Sequence, residues 1–437
     1  MENLETKPSN TLKSLSSSFL KKGKFYWKRM GPGIVTGAAD DDPSGIATYS
    51  QAGAQHGFKY LWLSLYTFPL VAVIQEMCAR IAIATGRGLA GNISLYFPKW
   101  MLYSVAGFLF VANTFNIGAD LGAMAEAMTL LVPSIPSWVY LFSIALICIS
   151  FEIYSSYAVY AKYLKWLTFA LLAYIVAGLL TKFNLNELFR ASIIPTVTFT
   201  KESFFIITAI LGTTISPYLF FWQTSQEVEE EILNGQDANR SDLEKKLTVS
   251  AMRYDVWFGM FFSNLVMFFI IAVCADNLFK NGITDINSAA QAAEALKPIA
   301  GNFASFFFAL GIIGTGFLAI PVLAGSSAYA LAESFKWKEG LYLKFKEGRA
   351  FYFVIIFSVL LGLLQNFIGL HPFKALLYSA VLNGLVAPLV LVFIVILASR
   401  KDVMGELKNG KWSTLIGIFT TILMFIVAGF TIFGMVS

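Results

Sequence analysis

Residues 33–54 read "GIVTGAADDDPSGIATYSQAGA", and the fold turns on this stretch. Its flanks are small and apolar, as in a membrane-crossing helix, yet Asp40, Asp41 and Asp42 stand together in its middle, followed by Pro43. An ionised carboxylate at the centre of a bilayer is costly unless it faces water, a partner or an ion. A proline removes one backbone donor and frees carbonyls that lipid cannot satisfy. A continuous lipid-facing helix is therefore excluded. The stretch reads as a helix broken inside the membrane.

The rest of the chain supplies that membrane. Of its 437 residues 57% are hydrophobic and only 14% charged, where a soluble domain carries roughly a quarter. Apolar runs recur to the C-terminus, each near the roughly 20 residues that cross a bilayer. We read eleven spans, at 32–57, 58–86, 101–131, 137–155, 160–182, 203–226, 252–276, 299–333, 350–370, 374–398 and 413–435. The chain is thus an all-α polytopic membrane protein. Residues 1–30 are polar and basic and lack the short apolar core and cleavage site of a signal peptide, so they read as a cytoplasmic tail. Cys78, Cys148 and Cys274 all lie in apolar runs, which suggests neither a disulfide framework nor a zinc site.

Basic residues set the orientation. The tail holds seven and the loops after even-numbered spans seventeen, so 24 of the 32 fall on the side of the N-terminus, against seven on the other. By the positive-inside rule that side is the cytoplasm. An odd span count then puts the C-terminus outside, in a plasma or inner membrane. The polar segment "QEVEEEILNGQDANRSDLEKK" after the sixth span reads as a solvated cytoplasmic connector.

A second break occurs at "TTISPYLF" in the sixth span. Pro43 and Pro217 lie 174 residues apart, which fits two halves of five spans, 31–182 and 203–398, with an eleventh span at 413–435. Matched interruptions in corresponding spans point to a transporter built of inverted repeats with its site at the midplane. Three acids with no base in the same span call for a cation. Asp42, just before "PSGIATYSQ", also has the makings of a helix N-cap with proline at the first helical position. Asp40 and Asp41 project about 100° apart on a helix, so the three acids meet at one point only if the chain is unwound; otherwise they line a vestibule.

Other polar residues are weaker signals. Asp120 and Glu126 are acids within the third span, Glu152 reads as interfacial, and Glu76 and Arg80 are spaced to pair. His56 and His371 fall at span ends. The glycine run in "GIIGTGFLAIPVLAG" lies inside an apolar helix, so it reads as close helix packing and not as a nucleotide loop. No nucleophile–base pair, phosphate loop or metal-ligand cluster marks an enzyme. No cofactor, nucleic acid or protein partner is implied, only a cation and the lipid bilayer.

At these breaks the chain resembles the Nramp metal-ion transporters. The likeness runs through "DPSGIATYSQAGAQHGFKYLW", "QEMCARIAIATGRGLAGNI", "GADLGAMAEAM", "GTTISPYLF" and "VLNGLVAPLVL", across essentially all eleven spans. It implies the LeuT-type fold of five plus five inverted spans, broken first and sixth helices, and alternating access. The family's ion site is a DPGN motif on the first helix and an MPH motif on the sixth. Asp42 falls on the motif aspartate and Pro43 and Pro217 on its prolines, while Ala39 and Thr213 fall where carbonyls face the ion. Gly45 replaces the ligand asparagine, Ser216 the methionine and Tyr218 the histidine. Ala380 stands at the family's helper polar position on the tenth span, with Asn383 nearby.

Losing the thioether removes the soft ligand that suits transition metals, and the oxygen donors left suit magnesium, calcium or manganese. Losing the asparagine opens space for the waters that magnesium gives up reluctantly. The pattern resembles the Nramp-related magnesium transporters. Tyr218 and Gln223 occupy the two histidine positions of proton-coupled members, Asp120 is kept but Ala123 replaces its companion acid, and the ninth span has no base. The expectation is uncoupled uptake of magnesium, and of manganese with it. The competing readings are a proton-coupled manganese or iron symporter, an organic-solute carrier of the same fold and a non-transporting ion sensor.

Overall fold

The computed structural model describes residues 31–154, 172–235 and 241–436. The basic tail 1–30 and residues 160–171 of the fifth span lie outside the described residues. Among the described residues every regular element is helical.

The first span is two helices, α1 (Pro32–Asp40) and α2 (Pro43–His56), broken between Asp41 and Asp42. After a single 3-10 turn come α3 (Trp62–Thr85), α4 (Leu89–Tyr96), α5 (Lys99–Leu131) and α6 (Ser137–Tyr154). The described part of the fifth span is α7 (Leu172–Leu180), followed by α8 (Leu185–Ile193), which the sequence reading lacks. The sixth span is again two helices, α9 (Lys201–Thr214) and α10 (Pro217–Leu233), broken at Ile215 and Ser216. Then follow α11 (Asp242–Asn277), the short α12 (Ala289–Ala293), α13 (Ala304–Phe335), α14 (Arg349–Gln365), α15 (Pro372–Ser399) and α16 (Lys411–Val436). Among the described residues eight stretches are long and apolar enough to cross a bilayer. The broken α1–α2 pair, the 17-residue α14 and the partly described fifth span account for the other three of the eleven expected.

Two expectations are corrected. Residues 226–233 are not a solvated connector: they continue α10, and Gln226, Glu227, Glu229 and Glu231 are buried. Glu229 accepts hydrogen bonds from the Tyr329 hydroxyl and from Leu341 N, so tertiary partners take in what a polar sequence suggests is exposed. α11 correspondingly begins at Asp242, ten residues before the expected 252. Glu152 is not interfacial: it is buried on α6 without a hydrogen-bond partner. Glu76 and Arg80 do pair, at 3.5 Å, and Glu76 also takes Arg253 at 2.9 Å. Glu126 is structural, accepting from Ala289 N at 2.9 Å and so capping α12.

The two half-helices of the first span form the centre of the bundle. α1 packs on α11, α10 and α13, and α2 on α11, α15, α9 and α5. Gly37 permits the closest approach: a Cβ there would overlap the Gly259 carbonyl of α11. The α1 end is further tied by Gly33 N donating to Asp255 at 2.7 Å and by the Thr36 hydroxyl donating to Gln223 Oε1 at 2.6 Å. At the opposite end a cavity of about 390 Å³ opens between Gln51, Gln55, Glu202, Asp285 and Lys374, reaching down to Ala47. Ala47 is five residues beyond Asp42, roughly 7.5 Å along a helix axis. Among the described residues α1 is thus tied to α10 and α11, while the cavity opens beyond α2.

Candidate metal-ion site

Both breaks fall at the same level of the bundle, and the residues flagged at each meet there. The Tyr218 hydroxyl of α10 donates to the Ala39 carbonyl of α1 at 3.0 Å. Ser216 donates to the Gly212 carbonyl at 2.7 Å and to the Thr213 carbonyl at 2.5 Å. The two carbonyls that the sequence singled out therefore each hold a hydroxyl contributed by the second broken span.

Asp42 is the N-cap of α2, with Pro43 at the first helical position. Its Oδ1 accepts from Gly45 N at 2.7 Å and from the Ser44 hydroxyl at 2.6 Å. Its Oδ2 accepts from the Asn116 side chain of α5 at 2.9 Å, and the Asn116 carbonyl oxygen accepts from Ser379 of α15 at 2.7 Å. Asp42 thus starts α2 and is oriented from two other helices. Each carboxylate oxygen has two lone-pair sites, which leaves one on Oδ2 for an ion.

A Cβ at Gly45 would sit 3.1 Å from Thr213 Oγ1, 3.2 Å from the Asp40 carbonyl oxygen and 3.4 Å from the Tyr49 ring. Thr213 Oγ1 is buried and has no hydrogen-bond partner. The position where the family has asparagine is here closed in by two protein oxygens, so that glycine fits it with nothing to spare.

Asp40 and Asp41 are fully buried beside it. Asp40 Oδ2 accepts from the Ser263 hydroxyl of α11, while Asp40 Oδ1 and both Asp41 oxygens have no partner. Asp120 is buried on α5, likewise unpartnered. Gln223 lies on the α1 side of the break, where it bridges Thr36 and Glu227. Ala380 and Asn383 are buried on α15, and the Asn383 amide has no partner. Among the described residues no three His, Cys, Asp or Glu side chains converge into a metal cage. The arrangement is a buried cluster of carboxylates, hydroxyls and carbonyls.

Sequence reading missed Asn116, Ser379, Ser44 and Ser263. The signal for Asn116 and Ser263 was present, since each is a polar residue inside an apolar span, in "VANTFNIG" and "FFSNLV". Such residues face the bundle interior, but which partner they meet depends on helix rotation.

Comparison with known proteins agrees with this architecture. A family model described as "Natural resistance-associated macrophage protein-like" (Nramp) matches residues 33–434. A divalent metal cation transporter, MntH, of Klebsiella pneumoniae strain 342 is 26% identical over 433 residues, 98% of this chain and 98% of its own. The Eremococcus coleocola manganese transporter, in complex with an aromatic bis-isothiourea substituted compound, superposes with a TM-score of 0.74 at 16% identity, covering 98% of this chain and 88% of that one. The inward-facing conformation of Mhp1 superposes at 0.52 and 15% identity, covering 93% and 89%. These likenesses fix the fold as the LeuT type, with an eleventh helix added. Matched from the first broken helix to the last span, the chain belongs to the Nramp family.

Proposed function

We propose that this divalent metal cation transporter of the Nramp type takes up magnesium, and manganese with it, as a largely hydrated ion by alternating access and without proton coupling. The observation that carries the reading is the donor set at the two breaks. Ser216 and Tyr218 stand where the family has methionine and histidine, and both commit their hydrogens to backbone carbonyls. A hydroxyl whose hydrogen is committed offers only lone pairs. The waters of a hydrated cation point their hydrogens outward, so such acceptors receive them. With glycine at position 45 no asparagine side chain is present to replace a water, and magnesium keeps several of its waters when it binds.

In this reading Asp42 is the charged ligand, directly or through water. Ala39, Thr213, Ser216 and Tyr218 line the rest, and Pro43 and Pro217 keep both helices open at the site. With the N-terminus cytoplasmic, the cavity beyond α2 faces outward and the tied α1 end faces the cytoplasm. Uptake then follows when α1 parts from α10 and α11, the halves 31–182 and 203–398 moving against each other. An inside-negative potential drives a divalent ion inward by about 4.6 kcal/mol per 100 mV, twice the single-charge value. The absence of bases from residues 350–370 and of histidine from α10 supports flux without a proton relay.

The test is influx into liposomes carrying a magnesium dye and a pH dye at imposed inside-negative potential. The reading expects magnesium entry without acidification, competed by manganese and abolished by Asp42→Ala. Manganese entry with matched acidification and no magnesium signal would overturn it in favour of a proton-coupled manganese symporter.

A further inference from the structure

We propose that the cavity between the C-terminal end of α2 and helix α8 binds the phosphate of an anionic phospholipid headgroup through Arg190 and Lys59. The cavity measures about 500 Å³ and is bounded by the turn after α2, by α8 and by the residues that follow α11, a size typical of small-ligand sites. The sequence places seven bases at this end of the bundle, and three of them, Lys59, Arg190 and Lys280, line this one cavity. The acids beside them are fewer: Glu187 stands in the wall, and Asp276 pairs with Lys280. Three bases against two acids leave one positive charge, which a phosphodiester with an uncharged remainder neutralises. Among the described residues Arg190 is exposed and enters no ion pair, so its planar fork is free to take two phosphate oxygens together. Lys59 gives one hydrogen to Thr198 Oγ1 at 2.6 Å and keeps two of its three donors. His56 Nε2, in the same wall, is enclosed without a hydrogen-bond partner.

The surroundings assign that phosphate to a lipid. α8 has no buried residue. Leu188 and Ala191 lean on the core, while Leu185, Phe189 and Ile193, spaced four apart on one face, are exposed. An amphipathic helix of this kind lies in the plane of the membrane interface. α8 packs on α3 and on the turn before it, and the Tyr66 hydroxyl of α3 donates to the Ile193 carbonyl at 3.0 Å. Trp62 and Tyr66 meet edge to face with ring centres 5.9 Å apart, and such aromatics mark headgroup depth. Phe58 and Phe279 line the cavity beside the bases, and Phe279 is exposed. One wall is thus basic and the other apolar, matching the two halves of a lipid, and basic pockets between spans are where headgroups bind. A free phosphate has a use for the bases but none for the apolar residues. A lipid held here ties α8 to the end of the half-helix that carries Asp42, whichever divalent ion is transported.

The test is thermal unfolding of the detergent-solubilised full chain at constant ionic strength, with dioleoylphosphatidylglycerol or dioleoylphosphatidylcholine mixed into the micelles. The melting temperature should rise saturably with the anionic lipid and not with the zwitterionic one. The lipid fraction at half-saturation should increase at least about tenfold in Arg190→Gln and in Lys59→Gln, the loss of one charge-assisted hydrogen bond or more. Arg190 stands exposed on α8, so its variant guards against misfolding of the other. Lys297→Gln removes a base of the same end that lies outside the cavity, and it should respond as the wild type does. Inorganic phosphate alone should leave the melting temperature unchanged. A wild type indifferent to the anionic lipid, an equal rise with both lipids, or equal losses in Arg190→Gln and Lys297→Gln overturns the inference. A rise with inorganic phosphate that Arg190→Gln removes overturns it in favour of a site for a free anion.

Discussion

Asn116→Ala tests whether the ion site is organised from outside the two broken helices. In the wild type the Asn116 amide donates to Asp42 Oδ2 at 2.9 Å, while its carbonyl oxygen is held by Ser379 at 2.7 Å. All three residues are fully buried. A buried hydrogen bond to an ionised group contributes about 1.5–3 kcal/mol. If that energy serves to hold the carboxylate in its ion-binding orientation, its loss appears in ion affinity. At about 1.4 kcal/mol per decade it amounts to a rise in KM of roughly ten- to 150-fold. Ser379→Ala removes only the neutral bond that steadies Asn116, about 1 kcal/mol and so roughly fivefold.

The assay is manganese influx into liposomes at clamped potential, with KM and maximal rate taken separately and thermal unfolding as the control for folding. The maximal rate should change little, because neither residue takes part in the contacts of α1 with α10 and α11 that open the site. An unchanged or lowered KM in Asn116→Ala would refute the reasoning. It would mean that the amide competes with the ion for Oδ2 instead of presenting it.

Three further outcomes follow from the same geometry. Gly45→Asn combined with Ser216→Met restores an amide and a thioether to the site. It should raise the preference for manganese over magnesium by at least about tenfold in competition influx, since a soft ligand favours the transition metal. Gly37→Val drives a side chain into the Gly259 backbone and should loosen the tied α1 end, which is read as increased labelling of a cysteine at position 36 by a reagent supplied from the N-terminal side. Glu339, in the loop between α13 and α14, has its carboxyl pushed up to about 10 by burial and by the charges of Glu333 and Glu229. A carboxyl raised in the folded state makes folding take up a proton, so stability falls as pH climbs from about 4.5 toward 10. Glu339→Gln should therefore raise the melting temperature at pH 7.5, and the gain should vanish as pH drops to about 4.5.

What was legible in the sequence was local or compositional. Both helix breaks were readable, because a proline beside acids or small residues in an apolar run admits few other structures. The N-cap role of Asp42 was readable too, since capping involves only the next three residues. The span boundaries of α5, α6, α15 and α16 came within about two residues, set by bilayer thickness. The failures were tertiary. Nothing in "QEVEEEIL" says that Tyr329 and the Leu341 amide wait to receive Glu229, so a run of glutamates read as exposed loop. Asn116 is separated from Asp42 by 74 residues, and Ser379 from Asn116 by 263. Only the rotation of three helices brings them together.

The departures from the family motif make physical sense as a set. Methionine and histidine bring their own electron pairs to a bare metal. Serine and tyrosine at those positions are donors first, and a donor facing a bare cation is repelled by it. Here that conflict is resolved locally, because Ser216 gives its hydrogen to Thr213 and Gly212 and Tyr218 gives its hydrogen to Ala39. The carbonyls that would strip water from a metal are thereby half-occupied, and the hydroxyl oxygens turn acceptor. Each change alone would leave a worse transition-metal site. Together with the amide missing at Gly45 and the unpartnered Thr213 hydroxyl, they exchange direct ligands for a lining that accepts hydrogen bonds. Under the magnesium reading proposed above, such a lining recognises an ion by the water it carries and favours the divalent cation that holds its water most tightly.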